Sequence, residues 1–209
     1  PTLELATAHQ IDLASASELT ARTMGVMGIE VERTQEVMDS MTVTATSTNQ
    51  HITDTAEAFR TGGAAAVGAG VDLTNMAAAV MVMAKQGEKG ANAGQLIKMA
   101  FLGMVKAPAV KFMKRLGIEM TDATGAMRPM PDLIDDMNKS MDAKGITKYA
   151  KQLELTAAFG VRGGPAIQKF LTGGGQMWRD YATSAATSMG ITNRMAEEQR
   201  DTLSTSFKI

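Results

Sequence analysis

The sequence predicts an all-α fold, a bundle of short helices with glycine and proline breaks and one small β-like turn around residues 118–128. Three observations predict it. Apolar residues recur three and four positions apart along most of the chain, which gathers them on one face of a helix. Twenty glycines and five prolines interrupt those runs, the residues that most often start, stop or break helices. Only between Ile118 and Arg128 does the pattern turn to alternation. There is no strict internal repeat and no sustained heptad. One unbroken helix of this length would be a rod of roughly 310 Å, and this many breaks preclude it.

Taken in order, Leu3–His9 is a short helix. Ser17–Met27 is a second, with Ser15 or Ser17 as N-cap and Gly28 as its end. Glu30–Ala45 follows, with Val37, Met38, Met41 and Ala45 on one face. The threonines at 42, 44, 46 and 48 weaken it, and Asn49 is placed to cap the next element. Thr53–Phe59 is helical and passes into an Ala/Gly-rich run to Gly70. There Gly62-Gly63 and Gly68 lower helix propensity by roughly 1 kcal/mol each and allow close approach of neighbouring backbones. A hinge or a membrane-active segment is the other meaning of that run.

Asp72 caps the next helix, which shows Leu73, Met76, Ala77, Val80 and Ala84 on one face. Gly87 and Gly90 are its C-cap and turn residues. Ala93, Leu96, Ile97, Ala100, Phe101 and Met104 line the helix after it. Pro108 suits the first turn of another, where no N–H bond is lost, and Ala107 before it is expected outside helical geometry. Ile118–Arg128 is a short hairpin or extended loop, with a turn over Asp122–Gly125. A helix then carries Met130, Leu133, Ile134, Met137 and Met141 and ends at Gly145. Thr147–Phe159 is helical, Gly160–Gly164 a loop, Pro165–Leu171 a short helix and Gly173–Gly175 a flexible break. Met177–Ser188 and Thr192–Leu203 are the last helices, the final one capped by Thr192 or Asn193.

At 209 residues, the chain reads as a single domain, 1–209, long enough to bury a real core. It opens on Pro1 with no signal-peptide pattern. It closes on Ser204–Ile209 like a helix cut short, so the expectation is a segment excised from a longer protein. A net charge of −1 gives no electrostatic case for nucleic acid or an anionic membrane. The absence of cysteine excludes disulfides and thiolate metal sites. The longest apolar run, Met76–Ala84, is far shorter than the ~20 residues of a membrane-spanning helix. Aromatics are scarce, but methionine is abundant, with 18 residues. Methionine either replaces leucine in helical cores or supplies a surface that repacks against partners.

No residue pattern points to catalysis, a metal or a cofactor. His9 and His51 are far apart and outside any zinc or triad pattern; they read as helix-surface and first-turn residues. Gly68-Ala-Gly70 lacks a third glycine, and Gly87-Glu-Lys-Gly90 lacks the ending of a phosphate loop and follows a helix. Asp135-Asp136 and Glu197-Glu198 are adjacent pairs that diverge on a helix and read as solvated faces. Lys111, Lys114 and Arg115 read as a solvated face that complements the helix dipole.

The order of breaks between Val71 and Pro131 resembles the core-region domain of phage tail tape measure proteins. The likeness is carried by Gly87 and Gly90, then Ala93-Gly94 with Ile97-Lys98. It continues with Ala107-Pro108 opening a helix that Arg115-Leu116-Gly117 closes. Gly117-Ile118-Glu119-Met120-Thr121-Asp122 with Gly125, Arg128 and Pro129 completes it. The family commonly has Thr and Arg where this chain has Gln95 and Lys98. A weaker similarity runs from about Ser15 to Phe207. The resemblance implies a structural segment of a virion tail, made in the host cytoplasm. In that family the protein sets tail length, scaffolds the tail tube and leaves ahead of the DNA. The implied partners are other copies of itself (a homo-oligomer), tail tube and baseplate or tail-tip proteins, and tail assembly chaperones. It implies no enzyme activity and no cofactor for this segment. The rivals are a peptidoglycan-cleaving module of a tail protein and a membrane-interacting segment used in DNA entry, the latter suggested by Ala64–Ala84.

Overall fold

A computed structural model describes residues 1–206. Among them lie ten helices: α1 (Thr2–His9), α2 (Leu13–Met27), α3 (Thr34–Ser47), α4 (Ile52–Gly68), α5 (Leu73–Lys85), α6 (Gly90–Met104), α7 (Ala107–Leu116), α8 (Met130–Ala143), α9 (Lys148–Ala186) and α10 (Ile191–Ser206). A single 3-10 turn, Val31–Arg33, precedes α3. No strand occurs among the described residues, so the all-α expectation holds. Of the helix expected to break off at Ser204–Ile209, residues 207–209 fall outside the described residues, as does the Phe207 end of the resemblance.

The helix ends follow side-chain chemistry. Asp12, rather than Ser15 or Ser17, caps α2; its carboxylate accepts the Ser15 N–H at 2.8 Å and the Ser15 hydroxyl at 2.6 Å. Both residue types cap well, and the aspartate lies earlier, so the helix starts earlier. Asp72 caps α5 as expected, accepting from the Asn75 N–H at 2.8 Å. Gly28 and Gly117 end α2 and α7 in the left-handed conformation, where only glycine is unstrained. α4 begins after His51, which makes no side-chain cap bond, while Asn49 takes a positive φ of 48° in the preceding turn. Ala107 lies inside α7 and Lys106 takes the extended backbone expected of it. The expectation that Ala107 lies outside helical geometry is therefore not met: the helix starts one residue before Pro108, and the extended residue is Lys106.

α9 corrects the reading of residues 160–175. Its backbone leaves helical geometry only at Gly160 (φ 86°, ψ 168°) and Gly174 (φ 77°, ψ 161°). The expected loop 160–164 and flexible break 173–175 are therefore two single-residue kinks between three straight segments, 148–159, 161–173 and 175–186. The kinks let one long element pack against α5, α6, α7 and α8 in turn.

The core forms around α5. Met76 through Met83, eight consecutive residues, have no exposed surface. A helix apolar all round is an interior helix, and α3, α4, α6 and α9 surround it. Each fully buried methionine or valine contributes about 1.5–3 kcal/mol over its exposed state. The methionines at 38, 41, 76, 81, 83, 104, 113, 137 and 141 are all interior, so this residue fills the core where leucine is customary. The Ala64–Ala84 run thus leads into the centre of the bundle, and no helix among the described residues is long and apolar enough to cross a membrane.

Candidate functional site

The residues that carry the resemblance fall into two neighbouring places. The first is the crossing of α6 over α4. Gly90 opens α6 with a φ of 56°, and a Cβ there would sit 3.2 Å from the Asp54 carboxylate. Ala93 is fully buried. At Gly94 a Cβ would lie 2.5 Å from the Ala58 carbonyl oxygen and 2.8 Å from Thr61 Cβ. Gly62 meets it from the other side, where a Cβ would lie 2.9 Å from the Gly94 carbonyl oxygen. Two facing glycines thus bring the helices into backbone contact, the close packing expected at Gly62-Gly63; Gly68 meets no such neighbour. Gly87 supplies the positive φ, 83°, of the turn between α5 and α6.

The same device repeats on the far side of α6. A Cβ at Gly103 would lie 3.0 Å from the Phe159 carbonyl oxygen, and one at Gly163 would lie 3.0 Å from the Met99 carbonyl oxygen. α6 is therefore clamped between α4 and α9 through small residues on both flanks. Gly103 and Gly163 carry no separate signal in the sequence, because a glycine that permits contact looks the same as one that breaks a helix.

The second place is the α7 helix and its turn. Pro108 occupies the first turn of α7. Gly117 ends it with φ 78°, and Ile118 N–H returns to the Met113 carbonyl at 2.9 Å. The β-like turn is real but minimal, one antiparallel bridge between Thr121 and Met127. Asp122 organises it. One carboxylate oxygen accepts from Thr124 N–H at 2.8 Å, the Thr124 hydroxyl at 2.6 Å and Ala126 N–H at 3.1 Å. These donors hold the Asp122 carboxyl below the usual carboxylate range, the Thr124 hydroxyl foremost. Gly125, with φ 85°, completes the reversal. Arg128 then donates to the Glu119 carbonyl at 2.9 Å and to Asp136 at 2.8 Å, tying the turn to α8. Between this turn, α7 and the α4–α5 connection lies a groove of about 610 Å³.

The titratable groups serve structure. Asp135 and Asp136 diverge as expected but are not the solvated face expected of them: both are half-buried, Asp135 accepting from Gly175 N–H and Arg179 and Asp136 from Arg128. His9 is not a free surface residue. Its Nε2 lies 3.0 Å from the Thr42 hydroxyl, and burial pushes its pKa down to about 4. Among the described residues no group of three or more His, Cys, Asp or Glu side chains is placed to hold a metal ion.

A family model described as phage-related minor tail protein matches residues 1–160. The chain belongs to this family. A tape measure protein of Pneumococcus phage Dp-1 is similar to this tail protein, 27% identical over 208 residues, which is 99% of this chain and 18% of that relative. The chain thus spans under a fifth of the length of the relative it matches. No solved structure matches it. Both α6 with its crossing and the α7 turn lie inside the matched residues.

Proposed function

We propose that this tail protein is a folded domain of a tape measure protein, acting within the longer chain that sets tail length, scaffolds the tail tube and leaves ahead of the DNA. The supporting observation is likeness, along 208 residues, to a relative named tape measure protein. The fold suits a domain rather than the ruler itself. Its longest helix is bent twice by glycine, whereas length measurement by a helix needs an extended rod at 1.5 Å per residue. In this reading the domain is a folded attachment beside the rod, located in the virion tail and made in the host cytoplasm. Its partners are tail tube and baseplate or tail-tip proteins, assembly chaperones and other copies of itself. Gly87, Gly90, Ala93, Gly94, Pro108, Gly117, Asp122 and Gly125 act by holding its shape.

Tail length by electron microscopy tests this. In-frame deletions are placed in helical sequence neighbouring this domain in its open reading frame. Tails shortened by about 1.5 Å per deleted residue support a ruler with this domain attached. Tails of unchanged length overturn the length-setting role.

A further inference from the structure

A cavity of about 440 Å³ opens between α3, the start of α5 and the end of α9. Leu73, Ala185 and Met189 give it an apolar wall. The α3 side is polar and acidic. Three carboxylates, Glu32, Glu36 and Asp39, line it against one cation, Arg33, and Arg33 is already engaged by Glu36 at 2.6 and 2.8 Å. Asp39 is 1% exposed and accepts only from neutral donors, the Gln35 amide and the backbone N–H groups of Gly190 and Thr192. No Lys or Arg side chain pairs with it among the described residues. A buried carboxylate in this state still favours a positive charge beside it.

Ser40 supplies an independent sign. It lines the same cavity and is 3% exposed, yet its hydroxyl has no hydrogen-bond partner among the described residues. Further along α3, Thr44, Thr46 and Thr48 each donate to the carbonyl four residues earlier, the usual resort of a hydroxyl on a helix. Ser40 does not, so its proton and lone pairs are left to the cavity. An unpaired buried polar atom in such a place calls for a ligand atom. An anion does not suit it. The helix starts beside the cavity, those of α5 and α10, are already capped by Asp72 and Asp39.

We propose that this cavity binds an alkylammonium ion. The ammonium donates to the Ser40 hydroxyl and the Asp39 carboxylate, and the aliphatic chain lies on Leu73, Ala185 and Met189. An apolar pocket with a few convergent polar groups is the usual form of a small-ligand site. A free aliphatic diamine and the lysine side chain of another polypeptide share this chemistry. In the diamine the second ammonium falls to Glu32, which is exposed and has no ion-pair partner among the described residues. The site goes beyond the tail assignment and does not rest on it.

An NMR titration of the whole chain with n-butylamine and with 1,4-diaminobutane, at constant pH and low salt, tests it. Saturable amide shifts are expected, confined to residues 32–40, 73–74 and 185–189, with half-saturation below about 1 mM. Ser40→Ala is expected to weaken both amines about tenfold. Its melting temperature should hold or rise, because the variant removes an unpaired buried hydroxyl. Ala186→Leu, at an exposed position of the lining, fills the mouth and should abolish the saturable shifts. Glu32→Gln separates the sources: weakening of the diamine alone assigns a free diamine, and equal binding of the two amines assigns a lysine side chain. Shifts that fail to saturate, or that spread over the acidic surface at large, overturn the proposal. So does undiminished binding by folded Ser40→Ala or Ala186→Leu.

Discussion

Asp39 in the middle of α3 caps α10, 151 residues further along the chain. Its carboxylate, on a residue 1% exposed, accepts the Gly190 N–H at 2.7 Å and the Thr192 N–H at 3.0 Å. A free helix N-terminus carries partial positive charge and unsatisfied donors, and here a buried anion from another helix satisfies them. Gln35 donates to the same carboxylate at 3.1 Å.

Asp39→Ala strips those donors of their acceptor, at a cost of about 1–3 kcal/mol. α10 is the element most dependent on it, since Thr192 and Ala196 are its buried side chains among those described. Hydrogen exchange is expected to accelerate in α10 while α5 remains protected. Equal acceleration in both would show that the cap supports the whole fold and not α10 in particular.

The glycines divide into two kinds with opposite expected signs. Gly94→Ala forces a methyl group to within 2.5 Å of the Ala58 carbonyl oxygen, and overpacking of this sort costs about 1–3 kcal/mol. Gly25, inside α2, has nothing within 4 Å of its Cβ position and no positive φ. Gly25→Ala is therefore expected to stabilise by about 0.5–1 kcal/mol. Urea midpoints of the two variants on either side of wild type confirm the division; midpoints on the same side refute it.

Stability falls on mild acidification because of His9. Its folded pKa of about 4 lies below the ordinary 6.5, so between these values the unfolded chain binds the extra proton. The contribution is level above about pH 6.5 and is lost progressively down to about pH 4. The ring is held against the Thr42 hydroxyl, 3.0 Å from its Nε2, and that hydroxyl accepts from Thr192 at 3.0 Å. His9→Gln is expected to flatten the pH dependence of the melting temperature in this window, and an unchanged slope would assign it to other groups.

Trp178 is the only tryptophan in the chain and is fully buried, its Nε1–H donating to Asn75 Oδ1 at 3.0 Å. It stacks edge-on against Phe170 at 5.0 Å. Asn75→Ala leaves a buried donor unpaired, at a cost of about 1–3 kcal/mol, and is expected to shift the tryptophan emission. Unchanged emission and unchanged stability would remove the Trp178–Asn75 hydrogen bond from the explanation.

The fold was legible in the sequence wherever its signals are local. Asp72, Gly28, Gly117 and Gly145 act on their own helix ends, and the apolar spacing of α8 is complete within fourteen residues. What escaped acts at a distance. Asp39 and His9 look like ordinary helix residues until Thr192 and Thr42 are brought to them by folding. The glycines at 160–164 mislead for a related reason. Gly160 bends the chain, but Gly163 stays helical and serves the neighbouring α6 backbone. At the candidate site, the resemblance located the α6 and α7 positions and the Ala/Gly-rich run located Gly62, while Gly103 and Gly163 became distinguishable only in three dimensions.

A helix sealed on every side has no neutral positions. The eight residues of α5 from Met76 to Met83 have no outward face on which change is inexpensive, and the small alanines among them leave no room for growth. Divergence between lineages must therefore proceed there by coordinated exchange with α3, α4, α6 and α9, while the rim of the bundle drifts one residue at a time. Distant relatives of this chain are then best recognised by the volume and order of their centre, even where little of the surface can still be aligned.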